Sequence, residues 1–513
     1  MSDDYLKASS LNMAERSKNF KEIKSGIKTS NNVYLVFPDV QSFHGVGYHP
    51  GLASIAAVLV ENGVNVKAGY VTTEEQFDEI VEDIISFEPI IVGFTTVETQ
   101  FKYVQEIAAR LKEKYACMTV VGGTHISLWP QAVVEPNAVS LDCGMRGESE
   151  YAFLELVRKV QKGEDHYGVN NLVFTDPKTG ELVTNPMNPQ VEKLEVIPHP
   201  KTDIFEFQDI INTFNTAYFH FNRGCPYPCT YCSARELGLQ YGPLKESIRR
   251  RSVNNVIEEI KLTVEMYDMS PNTLLFFTDD LFTLSKKWLY DFLARYEKEI
   301  ARPFWCCSRS NLASPELFDR LKSAGCRTVM MSVESGNDFV RNEVMKRGVS
   351  RKALYNSFEL AKKYDIETCA PCVIGVPFET PEMIEDSIKT LSELDPTHKG
   401  INIFYPYQGA PLRKVCADNG FLPEVVDFDF RERSQSVLNL PTITKEQISY
   451  YFENWESLVY SHKGTRQRVG NLIRTYTRNS LNSDVGKKIR PFLRKNPQAI
   501  WVKEKVYDLF DVK

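Results

Sequence analysis

The sequence predicts an α/β protein of two consecutive units: a doubly wound, Rossmann-like parallel sheet, then a partial barrel of six β/α repeats, with a mainly helical C-terminal region behind them. Three observations carry this. Short apolar runs alternate with helical stretches over residues 31–163. The alternation lapses over a linker at 164–215, which Pro186, Pro189, Pro198 and Pro200 punctuate, and it resumes over 216–410. Residues 1–30 read as a polar leader and 411–513 as a capping region.

In the first unit, Val33-Tyr34-Leu35-Val36-Phe37 is a continuous apolar strand, and a helix over 50–62 is closed by Gly63. Strands are expected at 64–71, 89–95, 118–122 and 138–143, with helices at 73–87, 98–115 and 148–162. Strands apolar on both faces belong in a sheet covered on both sides, and such a sheet takes ligands at the carboxyl ends of its strands. Val121-Gly122-Gly123-Thr124-His125 lies at such an end, where absent Cβ atoms permit close approach, although Gly-Gly after a strand is also an ordinary turn. His125 reads as a hydrogen-bonded structural residue that lines a cofactor at most.

The linker contains a small hairpin around Asp176-Pro177-Lys178-Thr179-Gly180. Barrel strands follow at 217–221, 274–277, 303–307, 328–333, 367–374 and 401–405, with helices at 253–267, 286–300, 315–324, 351–364 and 381–394 between them. An aromatic-rich helix over 445–460 opens a tail expected to cap the barrel mouth. Basic residues gather from Arg466 to Lys495, as on a solvated helical face or a surface for an anionic substrate or membrane.

Composition narrows the function classes. With 42% hydrophobic and 25% charged residues and no apolar run near the roughly 18 residues of a membrane span, the chain reads as globular without a transmembrane segment. A formal charge of -6 offers no basic field, so no nucleic acid partner is expected. The first 28 residues lack a secretory apolar core, which makes a cytoplasmic location the expectation. Eleven cysteines in 513 residues are not a disulfide framework.

Three of them carry chemistry. Cys225-Pro226-Tyr227-Pro228-Cys229-Thr230-Tyr231-Cys232 supplies thiolates at C-x3-C-x2-C spacing, enough for three corners of an iron-sulfur cubane, whereas zinc would want a fourth ligand that is not nearby. Cys369-Ala370-Pro371-Cys372 has C-x2-C spacing inside a strand, which suits core packing or an auxiliary cluster. The three-cysteine loop after a strand resembles the radical S-adenosylmethionine (SAM) superfamily, with Tyr231 where that family places an aromatic. The resemblance implies a [4Fe-4S] cluster on Cys225, Cys229 and Cys232, with SAM chelating the open iron.

Later strand ends carry matching groups. Asp279 and Asp280 end the second strand, as acceptors for the SAM ammonium or as helix caps. Arg309 after the third can clamp the SAM carboxylate, or lie on the surface. Glu334 and Ser335 with Gly336 end the fourth, where ribose hydroxyls can be reached, and Gly375 ends the fifth, where backbone can pair with adenine.

In the first unit, the Pro50-Gly51-Leu52-Ala53 helix start, Gly122-Gly123-Thr124-His125 and Arg146-Gly147-Glu148 together resemble the cobalamin-binding domain that precedes some radical SAM barrels. The D-x-H-x-x-G pattern that supplies an axial histidine to cobalt is absent, and neither His44 nor His49 has that context. The resemblance therefore implies base-off cobalamin without a histidine ligand. It also implies an enzyme, first a C-methyltransferase and alternatively a radical cyclase or oxidoreductase; a non-catalytic cobalamin or redox sensor is the contrasting class. The implied partners are a small-molecule, lipid or peptide substrate and an electron donor such as flavodoxin or ferredoxin.

Overall fold

The computed structural model describes residues 30–42, 46–424 and 430–463. Strands β1 (Asn32–Pro38), β2 (Asn65–Val71), β3 (Ile91–Thr95), β4 (Met118–Gly122) and β5 (Cys143–Met145) pair in parallel in the order β2-β1-β3-β4-β5. Helices α1 (Pro50–Glu61), α2 (Phe77–Phe87), α3 (Phe101–Lys114), α4 (Thr124–Leu128) and α5 (Glu150–Gln161) belong to the same unit. Alternate strand residues feed two cores. Val33, Leu35, Ile91 and Val120 pack with Ala56 of α1 and Val157 of α5, whereas Tyr34, Val36, Val92 and Val121 pack with Val81 of α2 and Ile107 of α3. This two-sided burial is why the strands read as unbroken apolar runs.

The sheet departs from expectation at one edge. The strand expected at 138–143 starts only at Cys143, because Ser140 and Asp142 are engaged side-on: Thr119 Oγ1 donates to the Ser140 carbonyl at 2.6 Å, and Lys112 pairs with Asp142 at 2.6 Å. The linker hairpin, β6 (Leu172–Thr175) and β7 (Leu182–Thr184), then continues the sheet antiparallel from β5.

Helix α6 (Phe207–Phe214) leads into the second unit, whose first strand β8 (Thr216–Phe219) is followed by a short antiparallel pair, β9 (Asn222–Arg223) and β10 (Arg249–Arg250), with α7 (Ser233–Leu239) between them. Next come α8 (Val253–Met266), β11 (Leu274–Phe277), α9 (Lys286–Glu299), β12 (Phe304–Cys307), α10 (Pro315–Ser323), β13 (Cys326–Met330), α11 (Arg351–Lys363) and β14 (Glu367–Cys369). The parallel order is β8-β11-β12-β13-β14.

The strand expected at 367–374 is broken at Pro371, which has no N–H for the ladder. Its carbonyl instead accepts from the Val333 and Glu334 amides at 3.1 and 3.0 Å, and the chain resumes as β15 (Cys372–Ile374). After α12 (Pro381–Leu394), the last strand β16 (Ile401–Ile403) pairs with β15.

The C-terminal region does not simply cap the mouth. After α13 (Pro411–Asp418), α14 (Lys445–Ser461) packs on α12 and β16; Lys399, just before β16, reaches the Tyr460 hydroxyl at the far end of α14. Helix α14 is thus the sixth outer helix of the barrel, laid down by Ile448, Tyr451, Trp455 and Val459 facing the core. Residues 406–413, soon after β16, instead bridge the cysteine loop and the first unit. There Leu412 N–H donates to the Thr230 carbonyl, and Gln408 N–H donates to Glu98 of the first unit at 2.6 Å. The basic stretch 466–495 and His44 lie outside the described residues. Among the described residues no helix is long and apolar enough to cross a membrane.

Candidate functional site

A cavity of about 560 Å³ lies between the carboxyl edge of the first sheet and the barrel. At one end it sinks between the sheet and helices α1 and α5 as an apolar shaft lined by Leu35, Ile55, Gly93, Val120 and Phe153. A Cβ at Gly93 would stand 3.0 Å from Leu35 Cδ2 and 3.2 Å from Phe153 Cζ, so a side chain there would compete for the shaft. Gly122, Gly123 and Thr124 form the rim. At Gly123 φ is +97° and a Cβ would fall 2.5 Å from the Thr96 carbonyl oxygen, so only glycine fits. A bare backbone rim beside an apolar shaft fits a large planar macrocycle with an appended group, as the cobalamin resemblance requires.

His125 does not share in this lining. Its ring turns back onto Phe101, centroids 5.0 Å apart, and burial, aided by the Arg413 charge, pushes its pKa down to about 4. His49 does line the cavity, but its Nδ1 accepts from the Leu52 amide at 3.2 Å as the α1 cap and its Nε2 stands 3.5 Å from Thr95 Oγ1. Both ring nitrogens are committed, so cob(II)alamin bound here is expected to give electron paramagnetic resonance lines without axial-nitrogen splitting; clear triplets would overturn that expectation.

The other end of the cavity is lined by His220, Gly224, Ser233 and Asp280, and so reaches the cysteine loop. That loop is pinned independently of its thiols: Thr230 N–H donates to the Met345 carbonyl at 3.1 Å, and Thr230 Oγ1 donates to the Val344 carbonyl at 2.7 Å. Burial pushes the Cys225 thiol pKa up and that of Cys232 to about 12, so iron must displace their protons. Among the described residues no three candidate ligands converge on one point. A cubane takes one thiolate on each of three irons, so its ligands stand apart rather than converging. Arg309 and Arg347 each place Nη1 near Cys229 Sγ, at 3.9 and 4.0 Å. Arg309 is only 3% exposed, and its Nε and Nη2 have no hydrogen-bond partner, an unmet demand for negative charge that suits a thiolate cluster and a carboxylate ligand.

The remaining residues divide by orientation. Asp279, 1% exposed, accepts from the Phe221 amide at 3.1 Å and from the Asn222 amide, which ties β11 to the end of β8. Asp280 is exposed to the cavity. Glu334 adopts φ +62° and pairs with Arg347 at 3.6 Å, and Tyr231 accepts from Arg347 Nη1 at 3.2 Å. Ser335 is buried against α12 through Ser387, 3.3 Å away. The Gly375 amide is already taken by Glu379 at 2.6 Å, whose pKa burial raises to about 8. The C-x2-C pair Cys369 and Cys372 flanks the broken strand, Cys372 in the core, with no further metal group among the described residues.

Sequence reasoning missed Arg347 and Glu379. Arg347 follows a single-turn π-helix (Val340–Val344) and acts through tertiary contacts that no spacing announces, whereas Glu379 folds back locally onto the Gly375 and Val376 amides. It also missed the ion pairs between the units. Glu148 is held by Arg223, at 2.9 Å, and by Arg249, while Glu150 is held by Arg223 and accepts from Ser54 Oγ at 2.8 Å. Arg223 precedes the cysteine loop by two residues.

Comparison with known proteins agrees with this arrangement. The B12 binding domain family matches residues 38–157 and the Radical SAM superfamily residues 219–391. The chain is 29% identical to an uncharacterized methyltransferase of Pyrococcus horikoshii over 78% of its length and 84% of that protein. It is 25% identical to the anaerobic magnesium-protoporphyrin IX monomethyl ester cyclase of Rubrivivax gelatinosus over 74% of its length and 70% of that protein. Its fold matches the cobalamin-dependent SAM radical enzyme OxsB, solved with aqua-cobalamin and SAM bound, with a TM-score of 0.65 and 15% identity over 94% of this chain and 75% of that one. The chain therefore belongs to the radical SAM enzymes that carry a cobalamin-binding domain, and its cofactors are a [4Fe-4S] cluster, SAM and cobalamin.

Proposed function

We propose that this enzyme is a C-methyltransferase acting on an unactivated carbon of a small-molecule substrate. The observation that carries the reading is the continuity of one cavity from the Gly122-Gly123 rim to Gly224, Ser233 and Asp280 beside the cysteine loop, so that both cofactors can act on one substrate. When bound, the cluster and SAM supply a 5′-deoxyadenosyl radical for hydrogen abstraction, and cobalamin carries a methyl group.

The chain's own residues bind and shield. Cys225, Cys229 and Cys232 are the assigned cluster ligands, with Arg309 assigned to the SAM carboxylate because two of its buried nitrogens lack partners. Asp280 is assigned to the SAM ammonium because it lies open in the cavity, whereas Asp279 Oδ1 is taken by two backbone amides. Glu334 is assigned to ribose, with Tyr231 beside the nucleoside; the Gly375 amide, held by Glu379, is not offered to adenine. Gln190, Leu194, Ile197 and Pro198 of the linker wall the cavity from one side and Leu237 and Tyr241 from another, which restricts the water that would quench a radical. A flavodoxin- or ferredoxin-type donor and a cytoplasmic setting complete the proposal, since an oxygen-labile cluster needs a reducing compartment.

A cyclase reading has support from the Rubrivivax gelatinosus relative. Turnover with methyl-labelled SAM, reductant, cobalamin and a candidate substrate separates the two. Methyl transfer is expected to give a labelled product, with 5′-deoxyadenosine and S-adenosylhomocysteine in comparable amounts. A substrate-dependent product without label would overturn the methyltransferase reading.

A further inference from the structure

The cluster loop shows an asymmetry that ligand counting does not explain. Cys229 alone receives two guanidinium donors, from Arg309 and Arg347, while Cys225 and Cys232 are met by the backbone amides of Tyr227 and Ala234. Arg433 acts on Cys232 by charge, with its Nε committed to the Tyr407 hydroxyl at 3.1 Å. Burying two cations at one sulfur is unfavourable unless negative charge is present there.

The two arginines are also built differently. Among the described residues no carboxylate lies within 4.0 Å of Arg309; its guanidinium lies 3.6 Å over the Tyr227 ring, and two of its nitrogens remain free for a ligand. Arg347 keeps only Nε unpartnered: its terminal nitrogens meet Tyr231, the Ser332 carbonyl at 3.3 Å and the Glu334 carboxylate at 3.6 Å as well as Cys229. Arg347 therefore faces the cluster sulfur and a counter-charge at once.

We infer that Arg347 is a positioning residue that sets the reduction potential of the iron-sulfur cluster through Cys229, with Glu334 tempering its charge. The inference rests on the assignment of the cluster to Cys225, Cys229 and Cys232. Reduction adds one electron from the external donor to the cluster, and an N–H donor with a full positive charge at a ligand sulfur stabilises the more negative, reduced form. Removing Arg347 must therefore lower the potential. Neutralising Glu334 must raise it, since the same guanidinium then acts uncompensated.

The test uses full-length protein, reconstituted anaerobically and titrated with dithionite in the absence of SAM, with the reduced cluster followed by electron paramagnetic resonance and iron and sulfide counted in each sample. Arg347→Gln is expected to shift the midpoint to more negative values and Glu334→Gln to less negative values, at wild-type cluster content. A purely structural role for the pair would move both variants the same way or neither, and either result overturns the inference. If Arg347→Gln assembles no cluster, Arg347→Lys, which keeps the charge but not the fork, takes its place and is expected to shift the midpoint in the same direction by less. Absence of a cluster from the wild-type protein would instead remove the assignment on which the inference rests.

Discussion

A variant with alanine at Cys225, Cys229 and Cys232 is expected to lose the iron-sulfur absorbance of the reconstituted protein completely, while substitution of any other cysteine leaves it intact. The loop is held by the Thr230 amide and hydroxyl and by the Leu412 amide on the Thr230 carbonyl, none of which involves a thiol. The triple variant should therefore fold, and its loss should report ligands rather than collapse. The other eight cysteines are placed differently: Cys117, Cys143, Cys306, Cys326, Cys372 and Cys416 are buried as small apolar side chains, each costing about 1 kcal/mol when trimmed, and Cys307 and Cys369 are half-buried at the ends of β12 and β14. Iron and sulfide analysis of the triple variant decides the matter, and unchanged content would sink the assignment.

Cobalamin binding should respond as sharply to two glycines. Gly123→Val forces a β-branched residue into φ +97° and against the Thr96 carbonyl, and Gly93→Leu fills the shaft between Leu35 and Phe153. If the free variant relieves this strain by moving the rim backbone, binding must restore it at roughly 1–3 kcal/mol, and at about 1.4 kcal/mol per tenfold a loss of up to about a hundredfold is expected for Gly123→Val. Equilibrium dialysis against hydroxocobalamin measures it, with cluster content of the same sample as the control for folding. Wild-type affinity in Gly93→Leu would show that the shaft is not where the cofactor enters.

Much of this was legible because it is local. Alternating apolar strands, a Gly-Gly pair at a strand end and three cysteines on one loop each encode their structure within a few residues. What escaped was long-range. Nothing near Pro371 says that its carbonyl will serve Val333 and Glu334, so a broken strand reads as a continuous one. Asp279 and Asp280 are indistinguishable as letters; only the fold points one at backbone amides and leaves the other in the cavity. Ser335 and His125 sit in the expected motifs, yet their side chains turn toward Ser387 and Phe101. Helix α14 was placed correctly but given the wrong task, since its periodicity reveals an apolar face and not which surface receives it.

The Glu148 and Glu150 pairs with Arg223 and Arg249 bear on how such an enzyme can be taken apart or recombined. Glu150 is 5% exposed and Arg249 8%, and each draws its partner from the other unit. Re-forming this interface with a partner that lacks the acids would bury the arginines without counter-charge, a far larger penalty than loss of an exposed pair. A chimera joining this barrel to a foreign cobalamin module would inherit two orphaned arginines, one of them two residues from the first cluster ligand. Module exchange in this architecture is therefore constrained less by the linker than by whether donor and acceptor bring acids to the same two positions.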